Sequence, residues 1–439
     1  MGTRSMGMRF ATIGVLLLCT IAIQARAATI TVTNTNDSGP GSLRQALAIA
    51  NDGDTITFAV TGTIGLTSGG LVIDKNVTIS GPGANQLSIN GNQTYVVFMV
   101  VQDKTATISG LTMRNGQLGI WNNQGALTVS NCVVNGNSDG GIYNDHGALT
   151  VSNCVVSGNS YVGLFNNGVV GPSDHSSGGV SLTIANSIVS SNSGSGVDND
   201  SATLTVVNST LTGNSAGSDS GYGGGIATHG GKLPGDVTVT NCTITGNSAF
   251  YDGGGIASGF SGLTIVNSTI SANSAGEVGG GIAANVASIL NSTISANSAG
   301  YFGGGISSGD GVIGNTILNN NSGGNIDGTI TSHGYNISSD DGGGLLNGPG
   351  DQINTDPLLG PLQDNGGPTL THAPLPGSPA IDAGDPNFTP PPFHDQRGQC
   401  FLRVFNGRID VGSVETQPQL RCPPTPRARP TPAPRPIPR

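Results

Sequence analysis

The stretch that decides the fold is Leu127-Thr-Val-Ser-Asn-Cys-Val-Val-Asn-Gly-Asn-Ser138, because the chain writes it again and again. It returns as Leu149 to Ser160, Leu182 to Ser193, Leu204 to Ser215, Val237 to Ser248, Leu263 to Ser274 and Ala287 to Ser298. Its first asparagine falls at Asn131, Asn153, Asn186, Asn208, Asn241, Asn267 and Asn291. A period of roughly two dozen residues signals a solenoid of stacked units. Within each phrase apolar and polar residues alternate, as in Leu204, Val206 and Leu211 with Thr205, Val207, Thr210 and Thr212 between them. That is the period of a strand with one buried face.

Two short strands therefore flank each first asparagine, and a third is centred on Ile142, Leu164, Val197, Ile226, Ile256, Ile282 and Ile306, each preceded by glycine. Three strands and three turns make one coil of an all-β, right-handed parallel β-helix, with coils about 4.8 Å apart. Asparagine suits the corners because it tolerates left-handed backbone angles, and its amide can bond the equivalent asparagine one coil away. Weaker coils run upstream through Val77-Thr-Ile-Ser-Gly81 and Ala106-Thr-Ile-Ser-Gly110 and downstream through Val312 to Asn321. The count is ten or eleven coils, a rod about 50 Å long. Extra residues around Val170 to Gly178 and Ala216 to Gly221 should leave the coil as loops.

Solenoids need capped ends. Ser42-Leu-Arg-Gln-Ala-Leu-Ala-Ile-Ala-Asn51 is the good amphipathic helix of this chain, with Ser42 as its cap and Leu43, Ala46, Leu47 and Ala50 as its apolar stripe. It follows a strand at Thr29 to Thr33 and closes the N-terminal end.

At the extreme N-terminus, Arg4 and Arg9 precede an apolar run from Phe10 to Ile23, and Ala25-Arg26-Ala27 offers small residues for cleavage. This is the pattern of an export signal. The run is too short to span a bilayer, and no later stretch reaches the length of a membrane helix. Expected localisation is therefore secreted or cell surface. The chain has 26 Asp plus Glu against 16 Lys plus Arg, and loss of Arg4, Arg9 and Arg26 leaves 13. That acidity opposes nucleic-acid binding. Cys132, Cys154 and Cys242 share one register and read as a stacked column of small buried side chains rather than disulfides. Cys400 and Cys422 could pair.

The opening, Asn36-Asp-Ser-Gly-Pro-Gly-Ser-Leu-Arg-Gln-Ala46 with Asp54-Thr-Ile-Thr-Phe58, resembles the N-terminus of bacterial secreted right-handed β-helix repeat proteins. The later stretch Asp356-Pro-Leu-Leu-Gly-Pro-Leu-Gln-Asp-Asn-Gly-Gly-Pro-Thr-Leu-Thr-His372, with Gly377-Ser-Pro-Ala-Ile-Asp-Ala-Gly-Asp385, Asp395-Gln-Arg-Gly398 and Asp410-Val-Gly412, is similar to the choice-of-anchor Q domain. The coil phrase also resembles the polymorphic outer-membrane protein repeat, whose C-terminal barrel has no counterpart here. The resulting division is a signal peptide at 1–27, a strand and helix cap at 28–70, β-helix repeats at 71–338, an irregular choice-of-anchor Q-like region at 339–416 and a Pro/Arg-rich tail at 417–439. None of these resemblances implies one defined activity, and the fold does not either.

Parallel β-helices often act on polysaccharides, so catalysis is weighed first. Lyase chemistry on uronates calls for a strong base and for cations to neutralise the substrate carboxylate. Between Gln117 and Gln396, histidine aside, the basic side chain available is Lys232. Hydrolysis would need paired carboxylates; Asp340 with Asp341 and Asp198 with Asp200 are the pairs at hand, and they read more simply as loop residues. His229, near Lys232 and Asp236, is a weaker candidate. No zinc spacing and no phosphate loop is present.

The more suggestive pattern is in the third strand, where Ile120-Trp-Asn-Asn123, Ile142-Tyr-Asn-Asp145, Leu164-Phe-Asn-Asn167 and Val197-Asp-Asn-Asp200 align. With the aliphatic residue inward, Trp121, Tyr143 and Phe165 stack outward. Together with Asn122, Asn144 and Asn166 they form the expected glycan-binding strip. No cofactor is required, though a calcium ion could sit near Asp145, Asp198 and Asp200. A second strip, Tyr222, Tyr251 and Tyr301, reads as loop packing. The sequence thus points to adhesion or glycan binding, the partner being an extracellular glycan or cell-envelope component, with a polysaccharide lyase or glycoside hydrolase as the alternative.

Overall fold

The computed structural model describes residue 2 and residues 27–168, 179–218, 221–230 and 235–418. The export signal, the loop around Val170 to Gly178, Lys232, Cys422 and nearly all of the Pro/Arg-rich tail lie outside the described residues. Among those described, no helix is long and apolar enough to cross a membrane.

The chain is an all-β, right-handed parallel solenoid. One sheet has 21 strands, a second has 12 and a third has four very short ones. The second sheet takes one strand from each coil, so there are 12 coils rather than ten or eleven. The additional coils are at the ends, where Gly62–Gly65 and Ile337–Ser338 join the sheet without the repeated phrase. The third strand of a coil and the first strand of the next phrase lie in the same large sheet. Toward the C-terminus they fuse into single bent strands, Ile256–Val266, Ile282–Leu290 and Ile306–Gly314.

Register is exact through the repeats: Leu127 pairs with Leu149, Leu149 with Leu182, Leu182 with Leu204 and Leu204 with Val237. Aliphatic side chains thereby stack on aliphatic side chains in one continuous buried cluster from Val32 to Leu346. The first asparagines do form a column, and each has a left-handed φ between 48° and 55°. They are mostly exposed in the middle of the rod, so backbone angle is what they supply there.

The amide ladder runs instead through the last asparagine of the phrase. Asn137, Asn159, Asn192, Asn214, Asn247, Asn273, Asn297, Asn321 and Asn325 are all buried. Each Nδ2 from Asn137 to Asn321 donates to the next Oδ1 at 2.8 to 3.0 Å. The Asn214 side chain shows the full pattern. Its Oδ1 accepts from the backbone and amide nitrogens of Asn192, and its Nδ2 donates to Val189 O and Asn247 Oδ1. The glycine before each third strand makes room for this column, since a Cβ on Gly255 would lie 2.5 Å from Gly281 O and 3.2 Å from Asn273 Nδ2.

The cysteines belong to a parallel row of Cys, Ser and Thr. Cys154 N donates to Ser187 Oγ and Cys242 N to Ser268 Oγ, both at 3.1 Å. A thiol here does the work of a hydroxyl, and burial pushes Cys242 up to about 12, which makes it an inert structural group.

The N-terminal cap is the expected helix, Leu43–Ile49, with Ser42 Oγ accepting from Gln45 N. Arg44 ties it to the first coils through an ion pair with Asp37 at 2.6 Å and bonds to Gly69 O and Gly70 O. Residues 339–418 are irregular and lie along the second sheet. Gln396 reaches Thr269 Oγ1, Thr243 Oγ1 and Cys242 O, Ser413 Oγ donates to Thr293, and Arg397 pairs with Asp395 at 2.6 Å. The residues that carry the choice-of-anchor resemblance thus form a buried polar clasp onto the solenoid.

Two substitutions separate the asparagine columns. Asn214→Ala leaves several buried groups unpaired and should cost about 3 kcal/mol in urea unfolding. Asn131→Ala strains one exposed corner and should cost about 1 kcal/mol.

Candidate functional site

The outward row of the large sheet runs Trp121, Tyr143, Phe165, Asp198, Ala227, Ala257, Ala283 and Ser307, in register from coil to coil. Three aromatic rungs, one acid and a run of small residues therefore follow one line parallel to the axis. Tyr143 and Phe165 stack with centroids 4.7 Å apart and planes 28° apart, the offset geometry such rings prefer. Trp121 is half-buried, and its Nε1 has no hydrogen-bond partner. Exposed Tyr161, with Ser138, Asp139 and Ser160, frames a depression of about 580 Å³ over the Tyr143 and Phe165 rings.

Asn122, Asn144 and Asn166 are not part of that surface. Each is fully buried, one residue past the outward aromatic and therefore on the inner face. They build a second internal ladder, with Nδ2 to Oδ1 distances of 2.6 Å from Asn122 to Asn144, 2.7 Å to Asn166 and 2.6 Å to Asn199. The pleat that turns Trp121, Tyr143 and Phe165 outward necessarily turns these amides inward, so the expectation that they contact a glycan is corrected.

The next outward row carries Asp145, Asn167, Asp200 and His229. Asp145 bonds His146 Nδ1 at 2.7 Å and Asn167 Nδ2 at 2.9 Å, and Ser201 Oγ donates to Asp200 at 3.0 Å. The carboxylates of Asp145, Asp198 and Asp200 do not converge on one point. Among the described residues, the group close enough to share an ion is Asp382, Asp410 and Glu415, in the C-terminal clasp. Asp198 and Asp200 share one strand, and Asp145 lies two coils earlier.

Asp198 is the unusual residue. It is 7% exposed, and its Oδ1, without a hydrogen bond, lies 3.4 Å from His229 Nε2. Burial raises its carboxyl to about 6, His229 opposes the rise and Asp200 adds to it. Burial also raises Tyr143, with Asp145 and Asp198 adding to the effect. His229 thus pairs with the acid one coil earlier. Asp236 lines a different depression, with Thr238 and Gly262. The third-strand alignment already held this signal, since it sets Ile226-Ala-Thr-His229 beneath Val197-Asp-Asn-Asp200.

Beyond Asp198 the row becomes the floor of a groove of about 440 Å³. Ala257, Ala283 and Ser307 line its base, with Tyr222 and Asp252 on one side and His229 and Asn285 on the other. Of the second tyrosine strip, Tyr222 lines this groove and meets Tyr251 at 5.2 Å, while Tyr301, 63% exposed, lines a separate depression with Phe250 and Glu277. The pair Asp340 and Asp341 is structural, since Asp340 accepts from Ser338 and Asn325 and Asp341 caps a short 3-10 turn.

Residues 62–233 match the family described as the right handed beta helix region. Among solved structures, the chain is similar to pectate lyase Pel9A, at 16% identity and a TM-score of 0.52, covering 90% of this chain and 97% of that one. It is also similar to the A-module of mannuronan C-5 epimerase AlgE4 of Azotobacter vinelandii, at 15% identity and a TM-score of 0.50, covering 70% and 90%. At these identities the likeness is one of fold. A search of curated proteins finds no match.

The Asp198 environment makes a stability prediction. A folded-state value raised above that of the unfolded chain means stability that is complete below about pH 3.8 and lost as pH rises through about 6. Asp198→Asn should therefore unfold at a higher temperature than the parent at alkaline pH, by the equivalent of about 2 kcal/mol. The gap should close in acid; a constant gap across pH would contradict the assignment.

Proposed function

We propose that this protein is an exported or cell-surface β-helix that binds an extended glycan along the outward row. The observation that carries this reading is the stacked, accessible pair Tyr143 and Phe165, at one end of a line that continues over Asp198 into the alanine-floored groove. The outward edges of the stacked rings offer apolar surface to the C–H groups of a sugar, and flanking hydroxyl and carboxylate groups bond the sugar hydroxyls. Small residues beyond the rings leave room for the chain to continue along the axis. Such a surface suits adhesion to an extracellular or cell-envelope polysaccharide.

Replacing Tyr143 and Phe165 together by alanine should weaken binding of the preferred oligosaccharide at least tenfold, about 1.4 kcal/mol. Both rings are partly exposed, so the near-ultraviolet circular dichroism of the rest should persist. Unchanged affinity in isothermal titration would remove the strip as the binding surface.

A second reading, cleavage of the bound glycan, is favoured by one feature: a buried carboxyl raised to about 6 beside an imidazole is suited to proton transfer near neutrality. The fold likeness to a pectate lyase and a mannuronan epimerase supports a polysaccharide as the ligand class. Elimination from a polyuronate fits this surface poorly, because from Leu118 to Gln396 the sequence holds one lysine, Lys232, and no arginine. Incubation with pectate or alginate should yield no unsaturated product by ultraviolet absorbance. Reducing ends released from a neutral polysaccharide, and lost in Asp198→Asn, would establish hydrolysis instead.

A further inference from the structure

Resting on the glycan-binding reading, we infer that the line from Tyr143 to Ser307 selects glycans bearing free amino groups, with Asp198 as the ammonium partner. The argument is one of charge. Asp139 borders the aromatic depression, Asp252 lines the groove, and Asp145 and Asp200 stand two positions along the strands from Tyr143 and Asp198. Carboxylates therefore flank the line on both sides, and against them the sequence from Leu118 to Gln396 sets one lysine, Lys232, and no arginine. A polyuronate laid here would meet like charge along its whole length. A neutral chain would leave these carboxylates without counter-charge. A protonated amino sugar supplies one positive charge per ring.

Asp198 is the residue placed to use that charge. It occupies the rung directly after Phe165, so a sugar stacked on the Tyr143 and Phe165 pair has its neighbouring ring over the Asp198 rung. Its Oδ1 is buried and has no hydrogen bond. A desolvated acceptor without a donor is costly, and the adjacent groups do not remove the cost: His229 Nε2 stands at 3.4 Å, and Asp200 is occupied by Ser201. An ammonium on a ring over this rung would bring a positive charge beside the carboxyl, and the surrounding low polarity would strengthen the attraction. The other charged groups facing this rung are His229 and Asp200 from the adjoining strand ends and Asp145 from two coils earlier.

The test uses the mature protein and three probes in isothermal titration at near-neutral pH and low salt. They are chitosan oligosaccharides, chitin oligosaccharides of the same length and backbone, and oligogalacturonates. The expected result is tightest binding of the chitosan series, at least tenfold over chitin, with the preference shrinking as salt is added. Oligogalacturonates should bind weakest. Asp198→Asn should erase most of the chitosan preference by weakening chitosan binding far more than chitin binding, and Tyr143→Ala should weaken both. Equal binding of chitosan and chitin, or a preference untouched by Asp198→Asn, would overturn the amino-sugar assignment and leave the groove as a glycan site. Tighter oligogalacturonate binding would overturn it too. Failure of all three probes, with thermal unfolding confirming folded protein, would remove both this inference and the reading on which it rests.

Discussion

The fold depends on the vertical hydrogen bond from one rung to the next inside the solenoid. Each coil is too small and too rich in glycine and serine to hold itself closed by apolar burial. The column from Asn137 to Asn321 supplies what is missing, because each amide from Asn159 to Asn297 is both donor to the rung ahead and acceptor from the rung behind. Such a ladder works in one register only. A slip by one residue would bury the wrong face of every strand and leave a row of amides unpaired in the interior. Exact stacking is therefore the condition for having an interior at all.

The outer surface follows from the same constraint. Because the rungs cannot shift, any residue type repeated at an outward position becomes a continuous feature along the axis. Trp121, Tyr143 and Phe165 become an aromatic line, and Ala257, Ala283 and Ser307 become a floor. The single break in that line is Asp198, where an acid takes the place of a ring and is squeezed against His229 from the next coil. The C-terminal segment obeys the same logic on another face. Gln396 and Ser413 dock on the stacked threonines Thr243, Thr269 and Thr293, which only a regular solenoid presents as a row, and Thr369 donates to Asn241 O beside them.

Much of this was legible in the sequence, for a definite reason: the repeated phrase encodes both period and pleat. The coil, the inward aliphatic rows, the left-handed corner asparagines, the helical cap and the outward aromatic line all follow from those two quantities. Which asparagine bonds its neighbour was not legible, because Asn131 and Asn137 share one spacing and differ only in whether the side chain points inward. The assignment of Asn122, Asn144 and Asn166 to the surface failed for a simpler cause, since alternation applied one residue further would have placed them inside. Asp198 and His229 were each legible as candidates, but they stand 31 positions apart in the chain, and their pairing shows only when the third strands are stacked across the loops that lengthen these repeats. The exposure of Tyr301 and Phe302 depends on what covers a corner, and local sequence carries no record of that.

The most direct measurement is a crystal structure of the mature protein with a bound amino-sugar hexamer. The account predicts a sugar ring packed against the Tyr143 and Phe165 pair, the next ring above Asp198, and the chain running parallel to the solenoid axis toward Ala257. A ligand seated on another face, or aromatic rings found covered by chain, would contradict it.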